Sequence, residues 1–539
     1  MDTLYTGGRI LTMQGATPEY VEAIGVTDGT ITFVGSAAEA EQHADGSTTR
    51  VDLGGRTMLP GFIDAHGHIV VAAHQLEQAW LRGEGVTNIP EMIEALKAKA
   101  IENGVKPGDW IVGAGWHPSV LAEGRYPTAD ELDLVSMEYP VMAIHASGHQ
   151  ASLNHKALEV AGYLPGCADP KGGVIWRVEG TDIPNGYIEE SPLFYVRSLM
   201  PPLSADKYAP LMDRAMTQWA SYGFTTASEC CVGITPDDFD VIEGTLAAGP
   251  LKIDVLTYAE PQMLPKALEV LGEERVGSYV DGLRLGGIKL FLDGSLGGAT
   301  AWVTQPYVGM EGQPNDCGVA RMTDDELIAL FDEFYPSRFQ VQAHQNGDAA
   351  IDQFLLAARK AIEKYGKLDK RPIAIHCQIA RPEQWPMFDE LGVIPSLYPS
   401  TMPEQIDVVA KVVGDRINLH NACGTVEEAG VLWTSHNDAP LLLPDAMAMV
   451  DGAVNRRSRA TGTAYATEVA SSVYAALRSI TASAAYQGFE EASKGTIEVG
   501  KLADLVVLDS DPLTVDPAAV GRVKVVETIK RGHSIYRAS

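Results

Sequence analysis

Leu59-Pro60-Gly61-Phe62-Ile63-Asp64-Ala65-His66-Gly67-His68 carries a short apolar run into two histidines. A run of this kind, broken by Pro and Gly, reads as a buried strand that delivers polar groups at its C-terminal end. Residues two apart on a strand share a face, so His66 and His68 are predicted to point the same way. One such pair decides little, because 13 His in 539 residues give roughly 0.3 His-x-His pairs by chance. The fold is decided by the recurrence of such runs along the chain.

Counting TMLPGFIDAH at 57–66 as the first, eight strand-like runs alternate with helical stretches. The others are GFTTASECC at 223–231, KIDVLTYAE at 252–260, LRLGGIKLFLDG at 283–294, RFQVQAH at 338–344, RPIAIHC at 371–377, GVIPSLYP at 392–399 and VLWTSHND at 431–438. This is the order of parallel β/α units, and eight is the number that closes a barrel. The gap from 69 to 215 is too long for one crossover helix, so it predicts an inserted subdomain. Within it, Thr128-Ala129-Asp130-Glu131 reads as a capping box that starts a helix. Both chain ends are β-rich: Asp28-Gly29 sits between two such runs, and Arg531-Gly532 precedes HSIYR. Neither end can bury a core alone, so residues 1–58 and 495–539 are predicted to pair into one small sheet domain.

Composition excludes several classes. Lys plus Arg number 41 against 71 Asp plus Glu, a net charge of −30 that repels phosphate backbones and anionic headgroups. Nucleic acid and membrane are therefore not the expected partners, and a small molecule is. The start MDTLYTGGRILTM has no basic stretch followed by an apolar core. Six Cys, with no CxxC and with Cys230 next to Cys231, do not form a disulfide framework, which fits a reducing cytoplasm. The oligomeric state stays open, with a homodimer the first assembly to test.

Active-site groups of a barrel project from the C-terminal ends of its strands. His66 and His68 close the first run, Lys289 lies in the fourth, His344 ends the fifth, His376 ends the sixth and Asp438 closes the eighth. Lys289 sits among Ile288, Leu290, Phe291 and Leu292, and a buried ammonium must be paired (Asp293 is close in sequence), neutral or modified. Imidazoles and carboxylates suit zinc and similar divalent ions. Four His, one Asp and one Lys exceed what one tetrahedral ion takes. One or two ions are expected, two if Lys289 becomes a carbamate whose oxygens bridge them.

LPGFIDAHGH, KLFLDGS around Lys289, HQNGD at His344, IHCQ at His376 and HNDAP at Asp438 together resemble the amidohydrolase superfamily. Within it the chain is similar to the third amidohydrolase family, whose members include N-substituted formamide deformylase. The resemblance implies an α/β fold: a (β/α)8 TIM-like barrel over 59–494, an insertion at 69–215 after the first barrel strand, and a composite β-sandwich of 1–58 with 495–539. It further implies that His66 and His68 bind one ion, His344 and His376 the other, that Lys289 bridges them, and that Asp438 contacts metal and the reactive water. VMAIHASGHQASLNHKAL at 141–158 resembles the family's inserted region, where His149 would reach substrate. Two departures, Ile375 where a Glu often stands and His436-Asn437 where small residues do, leave the ligands intact and bear on the substrate pocket.

The activity so implied is hydrolysis of a carbon–nitrogen bond, in an amide, formamide or related small molecule, by metal-bound hydroxide. Asp438 would take and return the proton, and His149 would steady the oxyanion. A deaminase of a heterocyclic or amidine compound would use the same barrel but release ammonia. A non-catalytic metal-binding or regulatory protein would have lost the proton shuttle, whereas Asp438 is present. Trp116, His117, Trp302 and Tyr398 are candidate aromatic lining for the substrate, Cys377 reads as core packing, and Asp348 as a helix N-cap.

Overall fold

The computed structural model describes the whole chain except Glu84, Ser119, Ser147, His149, Pro236 and Ser539. The residues form two compact units, Met1–Val70 with Met212–Ser539, and Val71–Leu211.

The larger unit is built on eight parallel strands in one sheet, in chain order β1 (Phe62–Ile63), β2 (Phe224–Val232), β3 (Asp254–Ala259), β4 (Leu283–Phe291), β5 (Gln340–Gln345), β6 (Ile373–His376), β7 (Ile394–Leu397) and β8 (Thr434–Ser435). Every strand except the two outer ones lies between its sequence neighbours, and each overlaps one of the eight runs, β2 and β5 extending one residue beyond theirs. Their burial is nearly continuous, as a parallel sheet covered on both faces requires. No ladder joins β1 to β8 among the described residues. The sheet nevertheless curls, and beyond its two outer strands the His68 amide donates to the Ala439 carbonyl at 2.7 Å.

Helices pack on this sheet by spacing of apolar residues. Helix Asp348–Tyr365 buries Ile351, Phe354, Leu355, Ala358 and Ala361, one stripe at three- and four-residue steps, and stops at Gly366 with φ 79°. Phe354 meets Phe331 of helix Asp324–Phe334 edge to face at 5.1 Å. Truncating Phe354 to Ala would cost about 3–5 kcal/mol.

The first apolar run is divided between two sheets. Residues Thr57–Pro60 pair with Leu505–Leu508 and Arg9–Leu11, and only Phe62–Ile63 joins the parallel sheet. Chain start and chain end thus interleave in a six-stranded sheet, beside a four-stranded one made by residues 3–52. The two share a core that includes Tyr5, Ile24, Met58, Leu505, Val507 and Ile529. The hairpin turns Asp28-Gly29 and Arg531-Gly532 both place two residues at positive φ, 48° and 72°, then 48° and 77°, the backbone a tight two-residue hairpin needs.

The smaller unit has its own six-stranded mixed sheet, flanked by helix Ile89–Asn103. That helix is capped by Asn88, whose side chain accepts the Glu91 amide, and ends at Gly104 in the left-handed region. Helix Ala129–Asp133 opens with the reciprocal Thr128–Glu131 capping box. Among the described residues no helix is long and apolar enough to cross a membrane.

Candidate metal centre

His66 and His68 lie beyond the end of β1, so strand alternation does not align them as the sequence suggested. The loop does. Its amides bond across the sheet, Asp64 to the Thr226 carbonyl at 3.0 Å and His68 to Ala439. The Asp64 carboxylate accepts the Trp219 indole N–H at 2.8 Å and holds the turn from below. Burial raises the Asp64 carboxyl to about 7, although the Trp219 bond works the other way.

Asp438 arrives from beyond β8 on a left-handed backbone, φ 52°, and His376 ends β6 at φ 76°. Such conformations cost about 1–3 kcal/mol each in a non-glycine residue and persist where surrounding structure holds them. Asp438 Oδ1 lies 3.2 Å from His66 Nε2 and 3.4 Å from His68 Nε2. Ligand atoms of these three residues all fall within 4.8 Å of one another. Lys289 Nζ is 3.5 Å from His66 Nε2 and, among the described residues, makes no ion pair. Asp293, the partner considered for it, instead accepts the amides of Trp302, Asn346 and Gly347. On the other side His376 Nε2 faces His344 Nδ1 at 3.1 Å.

The remaining nitrogens are directed outward. His68 Nδ1 sits 3.4 Å from Glu229 Oε1, His344 Nε2 is 3.1 Å from the Gly294 carbonyl, and His376 Nδ1 is 2.9 Å from His436 Nε2. Outer partners of this kind fix ring orientation and leave one lone pair for a cation. His66 Nδ1 and Asp438 Oδ1 are buried without a hydrogen bond, and the Tyr398 hydroxyl beside them is too. A buried cluster of imidazole lone pairs and one carboxylate, with polar atoms unsatisfied, fits a divalent ion.

Electrostatics agree with that chemistry at three of the four histidines and at Asp438, while His68, without a cation beside it, favours the protonated ring. Burial depresses His66 and His376 well below the ordinary histidine range and takes His344 to about 4, so these rings are neutral at pH 7, the form a cation requires. Burial also opposes charge on His68, but Asp438 and Glu229 override it and lift it to about 9. Burial would raise Asp438, yet the imidazoles of His66 and His68 beside its carboxylate hold it well below the usual carboxylate range. Lys289 is pulled down, chiefly by burial.

The six predicted ligand residues thus lie together, His66, His68, Lys289 and Asp438 in one group and His344 with His376 in another, the His66 and His376 rings 5.3 Å apart between them. Tyr398 packs beside them, its ring 5.3 Å from that of His376. Trp302 is half-buried, with its backbone amide on Asp293. In the smaller unit, Trp116 is wholly buried with its indole N–H on the Ala143 carbonyl, which is core packing and not a pocket wall. His117 is exposed, its ring 4.8 Å from that of His145. His149 lies outside the described residues. Cys377 is buried. Asp348 is not an N-cap: Gly347 holds that position, and the Asp348 carboxylate accepts the Thr304 amide and pairs with Arg381.

Sequence reasoning missed Glu229, the one charged residue in an otherwise uncharged strand run, which was the available clue. It also left Ser396 unremarked and read His436 only as a departure; both are buried and attached to the site.

The sequence profile of the amidohydrolase family matches residues 49–536. A Bacillus subtilis (strain 168) protein named as an amidohydrolase, YtcJ, is 28% identical, with all of both chains covered. The N-substituted formamide deformylase of Arthrobacter pascens is 25% identical, covering 95% of this chain and 94% of its own. A crystal structure described as an uncharacterized metal-dependent hydrolase from Pyrococcus furiosus superposes with a TM-score of 0.75 at 25% identity, over 95% of this chain and 100% of that one.

Proposed function

The chain belongs to the amidohydrolase family, and we propose that it is a metal-dependent hydrolase acting on the carbon–nitrogen bond of a small amide-like compound. The observation that carries this reading is the convergence of His66, His68, Lys289, His344, His376 and Asp438 on one buried cluster. Similarity to an N-substituted formamide deformylase makes N-substituted formamides the first substrates to try.

His66, His68 and Asp438 would hold one ion, zinc first, and His344 with His376 a second, Lys289 serving both as a carbamate. A divalent cation so held lowers the pKa of water from ~15.7 towards ~7 and polarises a carbonyl. Burial of Lys289 favours its uncharged amine, which is the form that adds carbon dioxide and releases a proton. Asp438, kept ionised by its two histidines, accepts the proton of the attacking water and passes it to the leaving nitrogen. The six cysteines are unpaired, which supports a cytoplasmic setting within the same proposal.

The test is turnover of N-substituted formamides, acetanilides and cyclic ureides by zinc-loaded protein, with product analysis. The expected products are an amine and a carboxylate. Turnover confined to substrates that release free ammonia would replace this reading with a deaminase.

A further inference from the structure

Three buried side chains from successive strands form a chain of hydrogen bonds that ends on a ligand of the proposed centre. His376 Nδ1, at the end of β6, is 2.9 Å from His436 Nε2, just beyond β8. His436 Nδ1 is in turn 2.9 Å from Ser396 Oγ on β7. His436 and Ser396 are fully buried, and the ring of His436 is stacked on Tyr398 at 4.9 Å and 27°. The Ser400 hydroxyl donates to the His436 carbonyl at 3.1 Å, fixing the backbone as well.

The protons along this chain have two arrangements. His344 Nε2 faces two acceptors, the Gly294 carbonyl at 3.1 Å and the Asp293 carboxylate at 3.5 Å. The Asn346 side-chain nitrogen is also 3.1 Å away, but its shorter bond, 2.8 Å, is donated to the Gly294 carbonyl. The two acceptors place the His344 proton on Nε2 and turn a lone pair on Nδ1 towards His376. Without a cation, His376 Nε2–H donates to that lone pair across the 3.1 Å gap. His376 Nδ1 then accepts from His436 Nε2–H, and His436 Nδ1 accepts from the Ser396 hydroxyl. With a cation between the two rings, His376 must offer a lone pair at Nε2 and carry its proton on Nδ1. That proton needs an acceptor, which His436 Nε2 provides once its own proton sits on Nδ1, facing the Ser396 oxygen. The proton count is equal in both arrangements, and each imidazole has one.

We infer that Ser396 and His436 are positioning residues whose paired tautomers switch together so that His376 can present a lone pair to a cation shared with His344. The inference rests on the metal-dependent reading of this centre. It also distinguishes the two halves of the centre. His68 is backed by the Glu229 carboxylate, whereas His376 depends on a chain that either donates or accepts.

The experiment is stepwise zinc titration of metal-stripped protein against a chromophoric chelator, with cobalt absorption spectra as a second readout. Phe in place of His436 keeps a stacked ring but offers no acceptor. His436→Phe is expected to weaken the ion at His344 and His376 by about 10- to 100-fold and to leave the ion at His66, His68 and Asp438 unchanged. His436→Gln, which both donates and accepts, is expected to restore most of that affinity. Ser396→Ala removes one oxygen and gives a smaller loss at the same ion, and it carries the test should His436→Phe not fold. Wild-type affinity in His436→Phe, or in Ser396→Ala where that variant stands in, overturns the inference, as does equal weakening of both ions. A wild-type protein that binds no ion overturns the reading beneath it instead.

Discussion

The Nε2 atom of His66 lies 3.2 Å from Oδ1 of Asp438, so the loop after the first strand meets the loop after the eighth there. That contact links the two outer edges of the curled sheet and belongs to the cluster suited to an ion. Prolonged chelation is expected to abolish turnover, and zinc or manganese to restore it. Melting temperature should fall too, since an ion that binds only the native state adds about 2.7 kcal/mol at 100 times its Kd. Elemental analysis of active protein is the check, and a fully active metal-free preparation would remove the proposed function.

Lys289 is buried in β4 with no carboxylate in ion-pair reach among the described residues. Lys289→Ala is expected to lose metal and activity together, with partial return when a small carboxylic acid is supplied. Density for an unmodified lysine in active, metal-loaded crystals would rule out the carbamate.

The runs are legible where a parallel sheet covered on both faces has mostly apolar strands, as in β3, β4, β6 and β7, whereas β5, QVQAHQ, is equally buried but polar and is read mainly from its place in the alternation. The ligand residues were legible because they follow those strands. Their alignment was not. His66 and His68 are oriented by amide bonds to Thr226 and Ala439, partners remote in sequence that no local pattern announces. The division of 57–66 between two sheets was hidden for the same reason, since Thr57–Pro60 pairs with Leu505–Leu508. Trp116 misled because an aromatic residue beside a histidine reads equally as a pocket wall or as core.

Glu229 accepts the Val70 amide at 2.8 Å and faces His68 Nδ1, so its charge both builds the loop and orients the ring. Glu229→Gln keeps the shape and removes the anion. Metal affinity at the His66, His68 and Asp438 group is expected to drop about 10- to 100-fold. Equilibrium dialysis with zinc measures it, and unchanged affinity would reduce Glu229 to a loop anchor.

At the start of β3, Asp254 Oδ2 is 2.6 Å from Lys494 Nζ and 2.5 Å from Lys530 Nζ, all three buried. Burial alone would raise the Asp254 carboxyl, but the two ammonium groups hold it at about 2. A carboxyl lowered on folding stabilises above its unfolded value near 3.8 and loses that contribution as pH falls through 2. The loss is on the order of 2 kcal/mol. Asp254→Asn removes one partner from each cation but leaves Lys494 on Glu490 and Lys530 on Asp504, so the expected cost at neutral pH is below the about 3–5 kcal/mol of a fully orphaned buried charge. The gap between variant and wild type should narrow as pH drops from 4 towards 2. Denaturant midpoints across that range test it, and a gap independent of pH would assign the cost to packing.

Asp438→Asn separates holding an ion from moving a proton. Asn has nearly the same shape and keeps an oxygen that can touch a cation, but near neutral pH it cannot take up a proton and return it. If Asp438 serves the leaving nitrogen, metal content should be largely retained while turnover falls by ~10² to 10⁴, the usual contribution of a positioned acid or base. Loss of the anion also removes one of the two carboxylates, with Glu229, that raise His68, so metal must be measured on the same sample as the rate. A purely structural role, in which the carboxylate only fastens the curl through His66, predicts a lower melting temperature with turnover near normal in the folded fraction. A metal-replete Asp438→Asn protein that works at the wild-type rate would take Asp438 out of the mechanism and leave the proton transfer without a residue.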